Sequence, residues 1–215
     1  MKIKKLGHCC LDIETNGKRI MTDPGSYTVE DQAKELDIDL ILITHEHGDH
    51  LHIESLKKVL INNPNVRVIT NNGVGKLLSE AGIKYEVLED KITNDILGVE
   101  IEARDCKHEE IFEDFGQVQN TGYFIGKRLF YPGDSFYNPG KKVEILALPV
   151  AGPWTRIKDA VNYAIEINPK ICFPVHDGML NLFGGNHKIP EMILPKFNII
   201  FKNFEENKEE EFLDL

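Results

Sequence analysis

The sequence predicts a layered α/β fold, and two observations carry that prediction. Short apolar runs bounded by turn residues alternate with segments whose apolar positions recur at helical spacing. A succession of this kind stacks helices on sheets. The histidines and aspartates, in turn, stand mostly where those runs end, the rim at which open α/β folds place their chemistry.

Residues 3–6, 9–13 and 19–22 read as strands, with Asn16-Gly17 as the hairpin turn before the third. That strand stops at Asp23-Pro24-Gly25, where the aspartate either opens the turn or accepts the free N–H of a metal-holding imidazole. His8 reads as a structural or substrate-side histidine, not a ligand. Residues 38–43, apolar except for Asp39, read as a buried strand. Ile53, Leu56 and Leu60 mark a helix stopped at Asn62-Asn63-Pro64; residues 66–70 a strand; and Val74, Leu77, Leu78 and Ala81 a second helix ended by Gly82. Short strands are expected at 84–88, 92–96 and 99–103, leading into Asp105-Cys106-Lys107-His108. Residues 109–119 are polar with Phe112 and Phe115 interspersed, as in a loop lying over a site. A hairpin over 121–125 and 128–131 turns at Gly126-Lys127 and ends at Pro132-Gly133-Asp134-Ser135. A buried strand at 144–150 precedes the loop of Trp154, the only tryptophan. Ile157, Ala160, Val161, Ala164 and Ile165 form one helical face, with Thr155 as expected N-cap and Asn168-Pro169 as stop. The strand at 170–175 delivers His176. His187 opens a short helix as a capping or surface residue, 197–201 is the last strand, and the glutamate-rich tail from 205 reads as a solvated end. No repeat or linker divides the chain, so residues 1–215 are expected to form a single domain.

With 35 acidic against 25 basic residues the net charge is −10, which counts against a general nucleic-acid binder. No apolar run is long enough for a signal peptide or a membrane span, and Cys9, Cys10, Cys106 and Cys172 lack CxxC spacing. A cytoplasmic protein with reduced thiols is the expectation.

The densest chemistry is THEHGDH at residues 44–50. His45, His47, Asp49 and His50 follow the apolar strand, and Gly48 permits a tight bend. Imidazole and carboxylate are the ligands of catalytic zinc, and this many in one loop suits two adjacent ions better than one. Asp134, past a strand and a Pro-Gly turn, either forms the turn or supplies a carboxylate shared between two ions.

HxHxDH after an apolar strand resembles the signature of the metallo-β-lactamase superfamily, and the downstream order of His108, Asp134 and His176 matches it across nearly the whole chain. NTGYFI, YPGDS, PVAGPWT, DAVNYAIEINPK and PVHDG look like its small cytoplasmic metal-dependent hydrolases, a branch similar to the ascorbate-6-phosphate lactonases. The resemblance implies a four-layer αββα sandwich and two divalent ions, zinc foremost, with manganese or iron as alternatives. His45, His47 and His108 would hold one ion, Asp49, His50 and His176 the other, with Asp134 bridging. It implies a hydrolase in which a metal-bound hydroxide cleaves an ester, lactone, thioester or phosphodiester bond of a small substrate, with Asp49 and Asp134 as catalytic carboxylates. No nucleic-acid or membrane partner is expected, and a homo-oligomer is compatible with the chain. A nuclease of the same fold, or a non-catalytic metal-binding protein, are the competing classes. Two departures from the branch stand out. Cys9-Cys10 replaces small hydroxyl residues, and His108-Glu109 replaces a histidine-serine pair, adding negative charge that disfavours strongly anionic substrates.

Overall fold

The first sheet begins as a meander. β1 (Lys2–Gly7), β2 (Cys10–Thr15) and β3 (Lys18–Thr22) pair antiparallel. Asn16 and Gly17, at φ 51° and 70°, make the turn between β2 and β3, and only residues tolerant of left-handed backbone suit that two-residue loop. The short helix α1 (Val29–Gln32) follows. β4 (Leu40–Leu42), α2 (Ile53–Asn62), β5 (Arg67–Thr70), α3 (Asn72–Glu80) and β6 (Glu86–Val87) then alternate, since parallel strands need crossover helices. The second sheet opens with the antiparallel strands β7 (Thr93–Ile96), β8 (Val99–Lys107), β9 (Gln119–Ile125) and β10 (Leu129–Tyr131). It continues in parallel through β11 (Ile145–Pro149), α4 (Ile157–Ile167), β12 (Ile171–Val175), α5 (Gly184–Ile193) and β13 (Ile200–Phe201). β14 (Glu209–Glu211) returns to the first sheet beside β1. These elements come from a computed structural model that describes residues 1–182, 184–203 and 205–213.

The strand orders are β14-β1-β2-β3-β4-β5-β6 and β13-β12-β11-β10-β9-β8-β7. Three apolar layers hold them in an αββα sandwich. Leu11, Ile13, Ile20 and Leu42 meet Ile101, Tyr123, Tyr131 and Phe173 between the sheets. Leu56, Val59, Val74 and Leu78 cover one outer face; Ala160, Val161 and Ala164 cover the other on Phe130, Leu146 and Leu148. Each fully buried large side chain contributes about 1.5–3 kcal/mol, so the sandwich can sustain local strain at its rim.

Three expectations change. Arg156, not Thr155, is the N-cap of α4, its backbone N–H bonded to Asp159 at 3.3 Å. Residues 194–197 form a 3-10 turn, leaving only Ile200–Phe201 as strand. The acidic tail is not merely solvated: β14 pairs with β1, where Lys2 lies 3.3 Å from Glu209, and Phe212 is buried against Phe173. Asp214 and Leu215 of that tail lie outside the described residues.

Gly25 ties the fold to the histidine loop. A Cβ built there would stand 1.8 Å from the Asp49 carbonyl oxygen, so only glycine lets these two segments touch. Gly25→Ala is therefore expected to displace residues 48–50, cost about 1–3 kcal/mol and weaken metal uptake. Thermal unfolding with and without zinc, beside a zinc titration, checks both effects.

Candidate metal centre

All seven expected site residues converge at one edge of the sandwich. The loop after β4 carries His45, His47, Asp49 and His50; β8 ends one residue before His108; the turn after β10 carries Asp134; and His176 follows β12. Nitrogens of His45, His47 and His108 lie within 4.8 Å of one another, as do donor atoms of His45, His50 and Asp134. Asp134 sits among the histidines. Its Oδ2 is 2.8 Å from His176 Nε2, 3.2 Å from His108 Nε2 and 3.9 Å from His45 Nε2, and its Oδ1 is 3.1 Å from His50 Nε2. Asp49 Oδ2 lies 3.5 Å from His176 Nε2 and 3.9 Å from His50 Nε2.

The hydrogen bonds behind the rings decide which nitrogen faces inward. Asp23, fully buried, accepts from Thr44 N–H (2.7 Å), Thr44 Oγ1 (2.8 Å) and Tyr131 OH (2.7 Å). His50 Nδ1 lies 2.7 Å from its Oδ2 and must donate to that carboxylate. Since the Thr44 hydroxyl gives its proton to Asp23, its oxygen accepts from His45 Nδ1 at 3.0 Å. His108 Nδ1 donates to the Glu109 carbonyl at 2.6 Å. His45, His50 and His108 thus each keep Nδ1–H on a fixed acceptor and turn Nε2 toward the common space, the orientation a metal requires. His8 is set the opposite way. Gly178 N–H donates to its Nδ1 (3.1 Å), so Nε2 carries the proton and donates to Asp49 Oδ2 at 3.2 Å. It is a donor to Asp49 and not a ligand.

Without an ion, burial opposes charge on His50 and His176, but Asp134 and Cys9 outweigh it and hold both rings well above the usual imidazole value, so a metal would take the place of those protons. Burial opposes charge on Asp134, but His176 and His50 outweigh it and hold the carboxyl well below its ordinary range; Asp49 is lowered likewise by His176 and His8. Burial, reinforced by His50, holds His45 well below the usual imidazole value and so favours its neutral, ligating form. Burial also opposes charge on the Cys9 thiol, yet His8, His50 and His176 draw it down to about 6.

The polar atoms left unpaired at this edge fit a metal. Among the described residues, six buried side-chain polar atoms lack a hydrogen-bond partner, and five are His45 Nε2, His50 Nε2, Asp134 Oδ1 and both ring nitrogens of His176. Donors and acceptors crowded at about 3 Å, yet out of line to bond one another, fit ligands arranged around a shared ion.

Some contacts have no sequence signal. Tyr131 reaches Asp23 from the opposite sheet, and Trp154 Nε1 donates to Asp134 Oδ2 at 2.9 Å while its ring stands edge-on to His108 and His176. Trp154 thus holds the central carboxylate directly. His187 is buried, not superficial, with Nε2 2.8 Å from Asp177 Oδ2. Phe112 and Phe115 are exposed, on the loop whose Gly116 lies beside His47. Arg104 and Arg156 are engaged by Glu102 and Asp159, and Glu109 accepts from Phe136 N–H at 2.9 Å.

Comparison with known proteins agrees. Residues 2–176 match the β-lactamase superfamily domain. A UPF0173 protein of Pyrococcus abyssi is 33% identical over 86% of each chain, and a UPF0173 metal-dependent hydrolase of Thermoplasma volcanium is 27% identical over 82% of this chain and 83% of its own. The solved metallo hydrolase Igni18 of Ignicoccus hospitalis superposes with a TM-score of 0.77 over 99% of both chains at 18% identity, a likeness of fold. A sandwich with this site defines the metallo-β-lactamase superfamily, and the chain belongs to it. Within it, the protein is a metal-dependent hydrolase.

Asp23→Ala should leave His50 unoriented and several buried donors unpaired. An expected loss of about 3–5 kcal/mol in stability and a roughly 10–100-fold loss in metal affinity would appear in denaturant unfolding and zinc titration. Trp154→Phe keeps an aromatic ring but removes the indole N–H. It should lower kcat about tenfold or more through Asp134, with KM little changed. A rise in KM alone would make Trp154 a wall of the substrate pocket and not a hold on Asp134.

Proposed function

We propose that this hydrolase works through two divalent ions, zinc foremost, with His45, His47 and His108 holding one, Asp49, His50 and His176 the other, and Asp134 between them. The observation that carries the reading is the cluster of buried, unpartnered atoms His45 Nε2, His50 Nε2 and Asp134 Oδ1, the outer nitrogens of both rings being already committed. Ions bound there would supply an acidified water and a polarised scissile bond. The bond cleaved is an ester, lactone, thioester or phosphodiester in a small substrate.

The remaining work belongs to the protein. Asp49, with 24% of its side chain exposed against 2% for Asp134, is the carboxylate that solvent and substrate reach, and it can accept and pass on a proton. His8 Nε2–H holds it in place from behind. Asp134 is kept anionic and aimed by Trp154. The exposed rings of Phe112 and Phe115, on the loop whose Gly116 lies beside His47, favour a substrate with an apolar part, while Glu110, Glu113 and Asp114 on the same loop disfavour a strongly anionic one. The whole chain acts as one domain, and its four free thiols suit a reducing compartment such as the cytoplasm. Among the described residues no helix is long and apolar enough to cross a membrane.

Asp134→Ala should abolish hydrolysis of ester, lactone, thioester and phosphodiester panels and reduce bound metal at both positions. The effect should exceed the roughly 10–100-fold loss typical when a residue that merely supports a ligand is removed. Elemental analysis of the folded variant beside the kinetic panel checks it. Unchanged metal stoichiometry would make Asp134 a turn former only.

A further inference from the structure

The thiol of Cys9 is not used by the ligand set above. His8 and Cys9 form the two-residue turn between β1 and β2, with His8 in left-handed backbone at φ 49°. Thr22 Oγ1 donates to the Cys9 carbonyl at 2.9 Å and Tyr131 Oη lies 2.8 Å from it, so the turn packs against both sheets. The Cys9 side chain, 1% exposed, points into the space between the sheets, whereas Cys10 faces the helix layer with Leu56 and Val74. Cys9 is a free thiol.

Cys9 Sγ and one ring nitrogen each of His8, His50 and His176 all lie within 4.8 Å of one another. Both His8 nitrogens are committed, to Gly178 and Asp49. That leaves Cys9, His50 and His176, with Asp49 alongside. His50 Nε2 and both nitrogens of His176 are buried and unpartnered. Sulfur and nitrogen ligands of one zinc stand about 3.6 Å apart, so an inward shift of at most about 1 Å brings these donors to ligand spacing.

We propose that Cys9 Sγ is a ligand of the ion held by Asp49, His50 and His176, which makes that half of the centre a thiolate site. The proposal rests on the two-ion reading above. The thiol gives up its proton to solvent as the sulfur–metal bond forms. The two positions then differ in kind: His45, His47 and His108 offer nitrogen alone, while the Cys9 position adds a soft donor that selects zinc over manganese. The alternative is a cysteine serving only as a small buried hydrophobe, a common role for free thiols.

Cobalt(II) titration of the metal-free protein separates these. The expected result is visible d–d absorption from nitrogen-ligated cobalt together with an intense near-ultraviolet thiolate-to-cobalt band. Cys9→Ser and Cys9→Ala should both lose the near-ultraviolet band while keeping d–d absorption from the other position; Cys10→Ala should retain it. In the Cys9 variants one zinc equivalent should bind at least tenfold more weakly. Cobalt binding to the wild type without the charge-transfer band, or a band that survives in both Cys9 variants, overturns the thiolate ligand and leaves the two-ion reading intact. Failure of the folded wild type to bind any cobalt or zinc overturns both.

Discussion

The Asp23 carboxylate is the interaction on which the metal edge depends. It is fully buried and would be untenable there unless hydrogen-bonded. Its partners satisfy it and are organised by it. Thr44 places the start of the histidine loop and, through its hydroxyl, sets the tautomer of His45; His50 is oriented directly; Tyr131 reaches across from the second sheet. One charge thereby fixes two imidazoles and the spacing of the sheets at the edge where His108 and His176 must meet them.

That edge is strained. His8, Asp23 and His176 adopt φ values of 49°, 36° and 60°, a region costly for side chains with a Cβ. Each lies where a strand stops, so the left-handed residue turns the chain and throws its side chain inward. The three apolar layers outweigh the cost, and cross-sheet bonds lock the result. Thr121 N–H donates to Thr44 O at 3.0 Å and His176 N–H to His8 O at 3.1 Å.

How much was legible in the sequence follows from the range of each interaction. HxHxDH is local, and Asp134 and His176 announce themselves as polar residues closing apolar strands, so fold and converging donors were readable. Asp23 was readable as one of two roles, because a turn aspartate looks the same with or without a histidine behind it. Trp154 on Asp134 spans 20 residues and Tyr131 on Asp23 spans 108, and no periodicity records such pairs. The tail misled because its glutamates dominate composition, while a single residue, Phe212, decides where it docks. His187 misled likewise, since the partner that buries it comes from another loop.

That partner shows how far the ordering of the site extends. Lys5 of β1 donates to both oxygens of Asp177 at 2.6 Å, and His187 of α5 adds its contact on Oδ2. Burial opposes charge on Asp177, yet His187 and Lys5 outweigh it and hold the carboxyl below its usual range. A buried ion pair seldom adds net stability over an apolar one, so its value here is positional. It clamps the turn between His176 and Gly178 to the first sheet and to α5 at once. Gly178 N–H then fills His8 Nδ1, which leaves the His8 proton on Nε2, facing Asp49. A buried lysine on the first strand thus reaches the one solvent-accessible carboxylate of the site through a series of single hydrogen bonds. Replacing the lysine–aspartate pair by apolar residues could preserve the core, but it would leave nothing to hold the turn that orients His8.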